Sequence, residues 1–223
     1  AATASAGPKA PGPPRPDAQQ PGPRLVDRVV VRWHAPETGG IAKPQFVFER
    51  ELAFEAELEA LADPDPETAS YRERHVRAAL DRHIAETLLA SLAIVPAPTD
   101  KDLVTRAAQA RAILDQRVHG REHVEEAAAR EGIGADEIDL ILARQARASL
   151  YLDRMVAPML EPSEVELREL WKAGSTPFKE LRYDDARPLI VRWLTGQRIA
   201  RAIDAYYQNA RSRVVLAIAR KAP

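Results

Sequence analysis

Apolar and polar residues follow two different periods along this chain. In LVDRVVVRW, Leu25 to Trp33, β-branched residues alternate with polar ones and Val29, Val31 and Trp33 share a face, which is the period of a strand. The turn-rich HAPETGGIAKP and the short strand-like QFVF come next, and together they predict a hairpin with a longer loop than the commonest two-residue kind. The spacing then becomes helical. ERELAFEAELEALA predicts a first, strongly acidic helix, ended by Asp63-Pro64-Asp65-Pro66. A second is expected over Pro66 to Val95, with Asp65 as cap and Val76, Leu80, Ile84, Thr87, Leu88 and Ser91 as its buried stripe. Pro96 and Pro98 stop it, and Thr99-Asp100 restarts a helix with Leu103, Ala107, Ala110 and Leu114 on one face.

The shorter EHVEEAAAREG closes at Gly132 and leads into Glu131 to Gly174, read as a long helix, a proline break and the start of another helix. Ile138, Ile141, Leu142, Gln145, Ala148, Ser149, Leu152 and Val156 fall on one face of the long helix, and Leu140 and Tyr151 on the other. After the connection GSTPFKELRY, a last helix is expected from about Pro188 to Ser212, and a strand over Val214 to Ile218. The fold class is therefore mainly α, with a small β element. Short strands at the two ends of a chain are best satisfied by pairing with each other. That pairing would carry the basic last helix (nine basic and three acidic residues from Arg182 to Pro223) toward the acidic first helix (eight acidic and one basic from Glu49 to Glu67).

Composition changes the picture at four points. Residues 1 to 23, with 7 of the 18 prolines and no large apolar side chain, read as a disordered or polyproline-like tether. Residues 24 to 174 form the helical body, and 175 to 223 a helix and strand packing back on it. The opening AATASAG marks either the edge of a recombinant product or the point where a signal peptide or lipoprotein leader is removed. A net charge of −1 gives no bulk attraction for nucleic acid, and no stretch has the apolar length of a membrane span. Cysteine is absent, which removes disulfides, thiolate metal sites and cysteine nucleophiles together.

No catalytic residue, metal site or cofactor is expected. His119 and His123 are four apart, but Gly120 interrupts the helix and HExxH spacing is missing. His75 and His83 read as packed or solvated, and Glu55 and Glu59 as a solvated charged face. Gly39-Gly40 is not followed by the Lys-Ser or Lys-Thr of a phosphate loop, and no serine sits in a nucleophile elbow. Trp193 and Tyr207 fall on the apolar stripe of the basic last helix, which favours core packing over contact with phosphates.

From Leu25 onward the chain resembles the SurA-type family of extracytoplasmic chaperones and their parvulin-linked relatives. LVDRVVVRW, QFVF and ERELAFEAEL are similar to the family's strand, second strand and acidic first helix. HVRAALDRHIAETLLASLAIVPAPTDKDL is similar to its second helix and Ser/Thr-Asp restart, with Ala93 in place of the usual glycine. EHVEEAAAREGIGADEIDLILARQARASLYLDRMVAPML and PSEVELRELW resemble its bend, long helix and following helix. The chain departs from the family at Ser175 to Asp185, which leaves no room for a parvulin domain before ARPLIVRWLTGQRIARAIDAYYQNARSRVVLAI.

The resemblance implies a periplasmic, non-enzymatic chaperone that holds unfolded exported polypeptides, such as outer-membrane proteins, in an apolar groove without ATP. It points to Tyr151, Met155, Met159, Leu160 and Trp171 as the client-binding surface, where flexible Met side chains suit varied partners. A homodimer formed by exchange of terminal arms is compatible with it. The alternative is a scaffold, free or tethered as a lipoprotein, that holds one specific partner.

Overall fold

The computed structural model describes residues 27–64, 71–211 and 214–218. The proline-rich opening, the first residues of the expected strand, the Asp65-Pro66 helix start and Ser212 lie outside them. The described chain is mainly helical, with one small antiparallel sheet built from both ends. Strand β1 (Val29–His34) is joined through two short 3-10 turns to β2 (Gln45–Phe48). Five helices follow: α1 (Glu49–Leu61), α2 (Glu73–Ser91), α3 (Asp100–Arg117), α4 (Arg121–Glu131) and α5 (Ala135–Tyr151). The long helix then loosens into a π-helical turn (Leu152–Val156) and a 3-10 turn (Ala157–Leu160), before α6 (Glu164–Lys172), α7 (Tyr183–Arg211) and β3 (Val215–Ile218).

The two terminal strands pair as the sequence predicts. The sheet order is β2-β1-β3, both pairs are antiparallel, and Trp33 of β1 lies opposite Leu216 of β3. Local chemistry sets the helix ends. The Thr99 side chain accepts from the Asp102 N–H at 3.2 Å while Asp102 accepts from the Thr99 N–H at 2.9 Å, a reciprocal cap that starts α3. Gly132, at φ 67°, ends α4 in the left-handed conformation and lets the Ile133 N–H reach the Ala128 carbonyl at 2.8 Å. The last helix begins five residues before the expected start. Its first turn is closed by the Asp185 and Ala186 N–H groups donating to the Arg182 carbonyl, so Pro188 sits inside the helix and not at its start.

Two apolar clusters make the body, and α1 belongs to both. Phe54 and Leu58 face Leu114, Val124, Ala127, Ile138 and Ile141 on α3, α4 and α5. Leu52 and Ala56 face Val31, Trp33 and Val47 of the sheet with Ala79, Ile84 and Leu88 of α2. Because α1 is enclosed on two sides, its interleaved glutamates cannot all reach water, and Glu55 is buried. A third, smaller cluster lies apart: Leu167 of α6 against Ala186 and Ile190 of α7.

Helix α7 is held at both ends. Near its start Ala186 and Ile190 pack into the third cluster, and at mid-helix Arg198 bonds the Leu160 carbonyl at 3.0 Å and the Glu166 carboxylate. At its far end Tyr206 and Val214 pack on the sheet cluster, and β3 joins β1. Between these anchors the helix passes over α2 and α5 as a strap, with a cleft beneath it.

Candidate functional site

The cleft under α7 has a volume of about 600 Å³ and is open to solvent. Its floor is formed by Ala85, Glu86 and Leu89 of α2 and by Gln145, Ala148 and Leu152 at the end of α5; Ile203, Asp204 and Gln208 of α7 roof it. The face of α5 that buries Ile138 and Ile141 at one end continues toward the cleft as half-buried Gln145 and Ser149 around buried Ala148. A second, smaller cleft of about 230 Å³ lies between α2, α3 and α5, and Arg82, Glu86, Gln145 and Ser149 border both.

Beneath these clefts runs a buried seam of charge. Arg144 of α5 donates to Glu51 at 2.8 Å and to Glu55, both on α1, while its Nε lies 3.6 Å from Oε2 of Glu86 on α2. His83 Nδ1 lies 3.2 Å from Glu55 and 3.6 Å from Glu51. Burial alone would raise the Glu55 carboxyl, but the His83 hydrogen bond and the Arg144 charge outweigh it and hold the group below its ordinary range. Burial works against the Arg144 charge as well; Glu55, Glu51 and Glu86 more than offset it and keep the guanidinium protonated. Glu86 has the weakest share of that cation. Burial pushes it up to about 7, despite the nearby charges of Arg144 and Arg82.

Glu51, Glu55 and His83 are, among the described residues, a group close enough to share a metal ion, their ligand atoms lying within 4.8 Å of one another. They do not fit one. Oxygens of both glutamates already accept from Arg144, whose fixed positive charge stands beside the position a dication would take.

Glu55 and Glu59 are not the solvated face that the sequence suggests. Glu59 pairs with Arg82 at 3.0 Å and Arg117 at 3.5 Å, Glu57 with Arg130, and Glu51 and Glu55 with Arg144. The acidic first helix is therefore matched by α2, α3, α4 and α5. The arginines of α7 turn to α6 instead: Arg187 to Glu164 at 2.9 Å, and Arg198 to Glu166.

None of the five residues marked for client binding lines either cleft. Tyr151 and Met155, at the end of α5 and in the π-helical turn, are half-buried. Met159 is 75% exposed, whereas Leu160 is half-buried and gives its carbonyl to Arg198. Trp171 is the most committed: it packs against the third cluster, donates Nε1–H to the Leu181 carbonyl at 3.1 Å and meets Tyr183 edge-on at 5.6 Å. Sequence reasoning places Gln145, Ala148, Ser149 and Leu152 on one face but singles out neither Arg144 nor Glu86. A signal exists for Arg144. It lies three residues after Ile141 and four before Ala148, which is the spacing of the buried stripe.

Comparison with protein-family models, with curated proteins and with solved structures returns no match to this chain. Its function is therefore argued from the cleft, the strap and the charge seam.

Proposed function

We propose that this chain is a non-enzymatic, ATP-independent chaperone of SurA-like character that acts in the periplasm and holds unfolded exported polypeptides in the cleft beneath α7. The observation that carries the reading is the roof: one long helix anchored at its two ends, over an open cleft whose walls mix Leu89, Leu152 and Ile203 with Gln145 and Gln208. Apolar surface interrupted by polar groups gives weak, sequence-tolerant binding. A strap tethered at its ends adjusts its height more readily than a helix packed along its whole length. Met159 and Leu140 are exposed apolar side chains outside the cleft.

The test uses the chain as it stands with a denatured outer-membrane protein. At equimolar concentration it delays aggregation of the client, measured by light scattering, and does not accelerate prolyl isomerisation of a model peptide. Ala85→Trp, which fills the cleft from α2, weakens client binding about tenfold, roughly 1.4 kcal/mol. Failure to bind any unfolded client overturns the reading.

A second reading, a scaffold for one specific partner, is favoured by the sheet edge. Val215, Leu216 and Ile218 of β3 are all exposed, and an edge strand with no charged residue is a template for another strand. It predicts a single stoichiometric partner in a pull-down and little general protection of clients. Exchange of the α7–β3 arm between two copies is a variant of the same edge chemistry, visible as a dimer mass by light scattering.

A further inference from the structure

Three carboxylates of the seam, Glu51, Glu55 and Glu86, share one guanidinium, and the sharing is unequal. Both terminal nitrogens of Arg144 are spent on Glu51 and Glu55. Glu86 is left with the Nε at 3.6 Å, beyond hydrogen-bond range, and its buried Oε2 has no hydrogen-bond partner among the protein atoms. Arg82, one turn away on the same helix, is engaged with Glu59 at 3.0 Å. Glu86 is thus the surplus anion of the seam, and it forms part of the cleft wall. The two clefts it borders differ in the charges that line them. Beneath α7 it is joined by Asp81 and Asp204 beside Arg82, whereas the smaller cleft is lined by Arg82, Arg106 and Arg117, of which Arg106 pairs with Asp153 and Arg117 with Glu59.

We propose that the cleft beneath α7 is a cation-selective subsite, which takes the lysine or arginine side chain of an extended client segment onto Glu86. The head group meets the Glu86 carboxylate where it borders the cleft, and the alkyl stem lies along Leu89 and Leu152, as long basic side chains do on apolar surface. This rests on the chaperone reading of the same cleft and adds to it the class of residue that is gripped.

Glu86, held up to about 7 by burial, exchanges its proton for such a cation near neutrality. The groups around it set that balance: Glu51, Glu55 and Glu59 from α1, Asp81, Arg82 and His83 from α2, Arg106 and Arg117 from α3, Arg144 from α5 and Asp204 from α7. Below the titration the carboxyl is neutral and the subsite loses its grip.

The probes are two extended peptides of alanine, leucine and glutamine that differ only at one central residue, lysine or its uncharged isostere norleucine, followed by fluorescence anisotropy with the full chain. The lysine peptide binds more tightly at about pH 8, and its advantage falls about tenfold by about pH 6, as protonation of one group with a midpoint near 7 requires. Glu86→Gln abolishes the advantage. In the wild-type chain, the 13C carboxyl resonance of Glu86 titrates near 7, and saturating lysine peptide moves its midpoint at least about tenfold higher in proton concentration. Equal affinity for the two peptides, or a midpoint that the lysine peptide leaves in place, overturns the subsite while the chaperone reading stands. Binding of neither peptide overturns both.

Discussion

The α1–α2–α5 seam and the α7 strap both carry opposite charges, and they use them differently. In the seam, Arg144, Glu51, Glu55 and His83 meet under cover of two apolar clusters, so each charge depends on the others for the solvation it has lost. On the strap, Arg187 and Arg198 reach Glu164 and Glu166 at half-exposed positions, where water substitutes for a lost partner. The seam lies within the body; the strap's pairs tie α7 to α6 nearer the surface. Glu86 stands where the two regimes meet, below the roof and at the edge of the seam.

The largest effect comes from breaking the seam at its cation. Arg144→Ala leaves Glu51, Glu55 and Glu86 facing one another without a guanidinium, and removing one partner of a buried ion pair costs about 3–5 kcal/mol. Urea unfolding at neutral pH measures it. A loss below about 1 kcal/mol would mean that Arg144 behaves like the strap arginines and that the seam is not set apart by burial.

Glu86 gives the next effect, with the opposite sign. Its folded pKa is raised from 4.5 to about 7. The stability linked to its proton is therefore complete below the unfolded value and is lost as pH rises through about 7. Glu86→Gln keeps the shape and removes the titration. The variant is expected to exceed the wild type by about 3.5 kcal/mol at pH 8, since each tenfold change in proton affinity on folding is worth about 1.4 kcal/mol, and to match it near pH 4. A stability difference that does not change with pH would show that Glu86 is solvated like the strap carboxylates.

How much of this was legible in the sequence follows the same division. The period of two at Val31 and Trp33, the Thr99-Asp100 cap and the glycine at 132 report local conformation, and the corresponding elements formed; Val29 does not share that face, because a register shift between Val29 and Val31 puts Val30 on the sheet cluster instead. The mainly helical fold with a sheet closed by both chain ends was also legible, because short terminal strands need a partner. The seam was not. Whether Glu55 meets water or Arg144 depends on α5 arriving 89 residues later in the chain. An acidic helix looks solvated until its neighbours are placed around it. The same holds for Trp171, which the family resemblance marks as a client residue and tertiary packing commits to Leu167 and Ile190. The cleft was half-legible: Gln145 and Ser149 interrupt an apolar face of α5, but Glu86 and Ile203 reach it from helices that only the fold brings together.

The smallest effect belongs to the strap. Arg198 is 27% exposed and holds both the Leu160 carbonyl and Glu166, so Arg198→Ala removes one hydrogen bond and one partly exposed ion pair, about 1 kcal/mol together. Body and roof then part company. Global unfolding shifts by no more than that amount, because the seam and both large clusters are untouched. The α7 amides between Arg198 and Tyr206, whose anchor on the α6 side is lost, exchange with solvent about fivefold faster, the factor that 1 kcal/mol represents in a local opening equilibrium. Site-resolved hydrogen exchange separates the outcomes. Faster exchange confined to α7 marks the roof as a unit that opens over a fixed floor, whereas an equal rise in α2 and α5 would join strap and seam into one cooperative body and remove the adjustable roof from the chaperone reading.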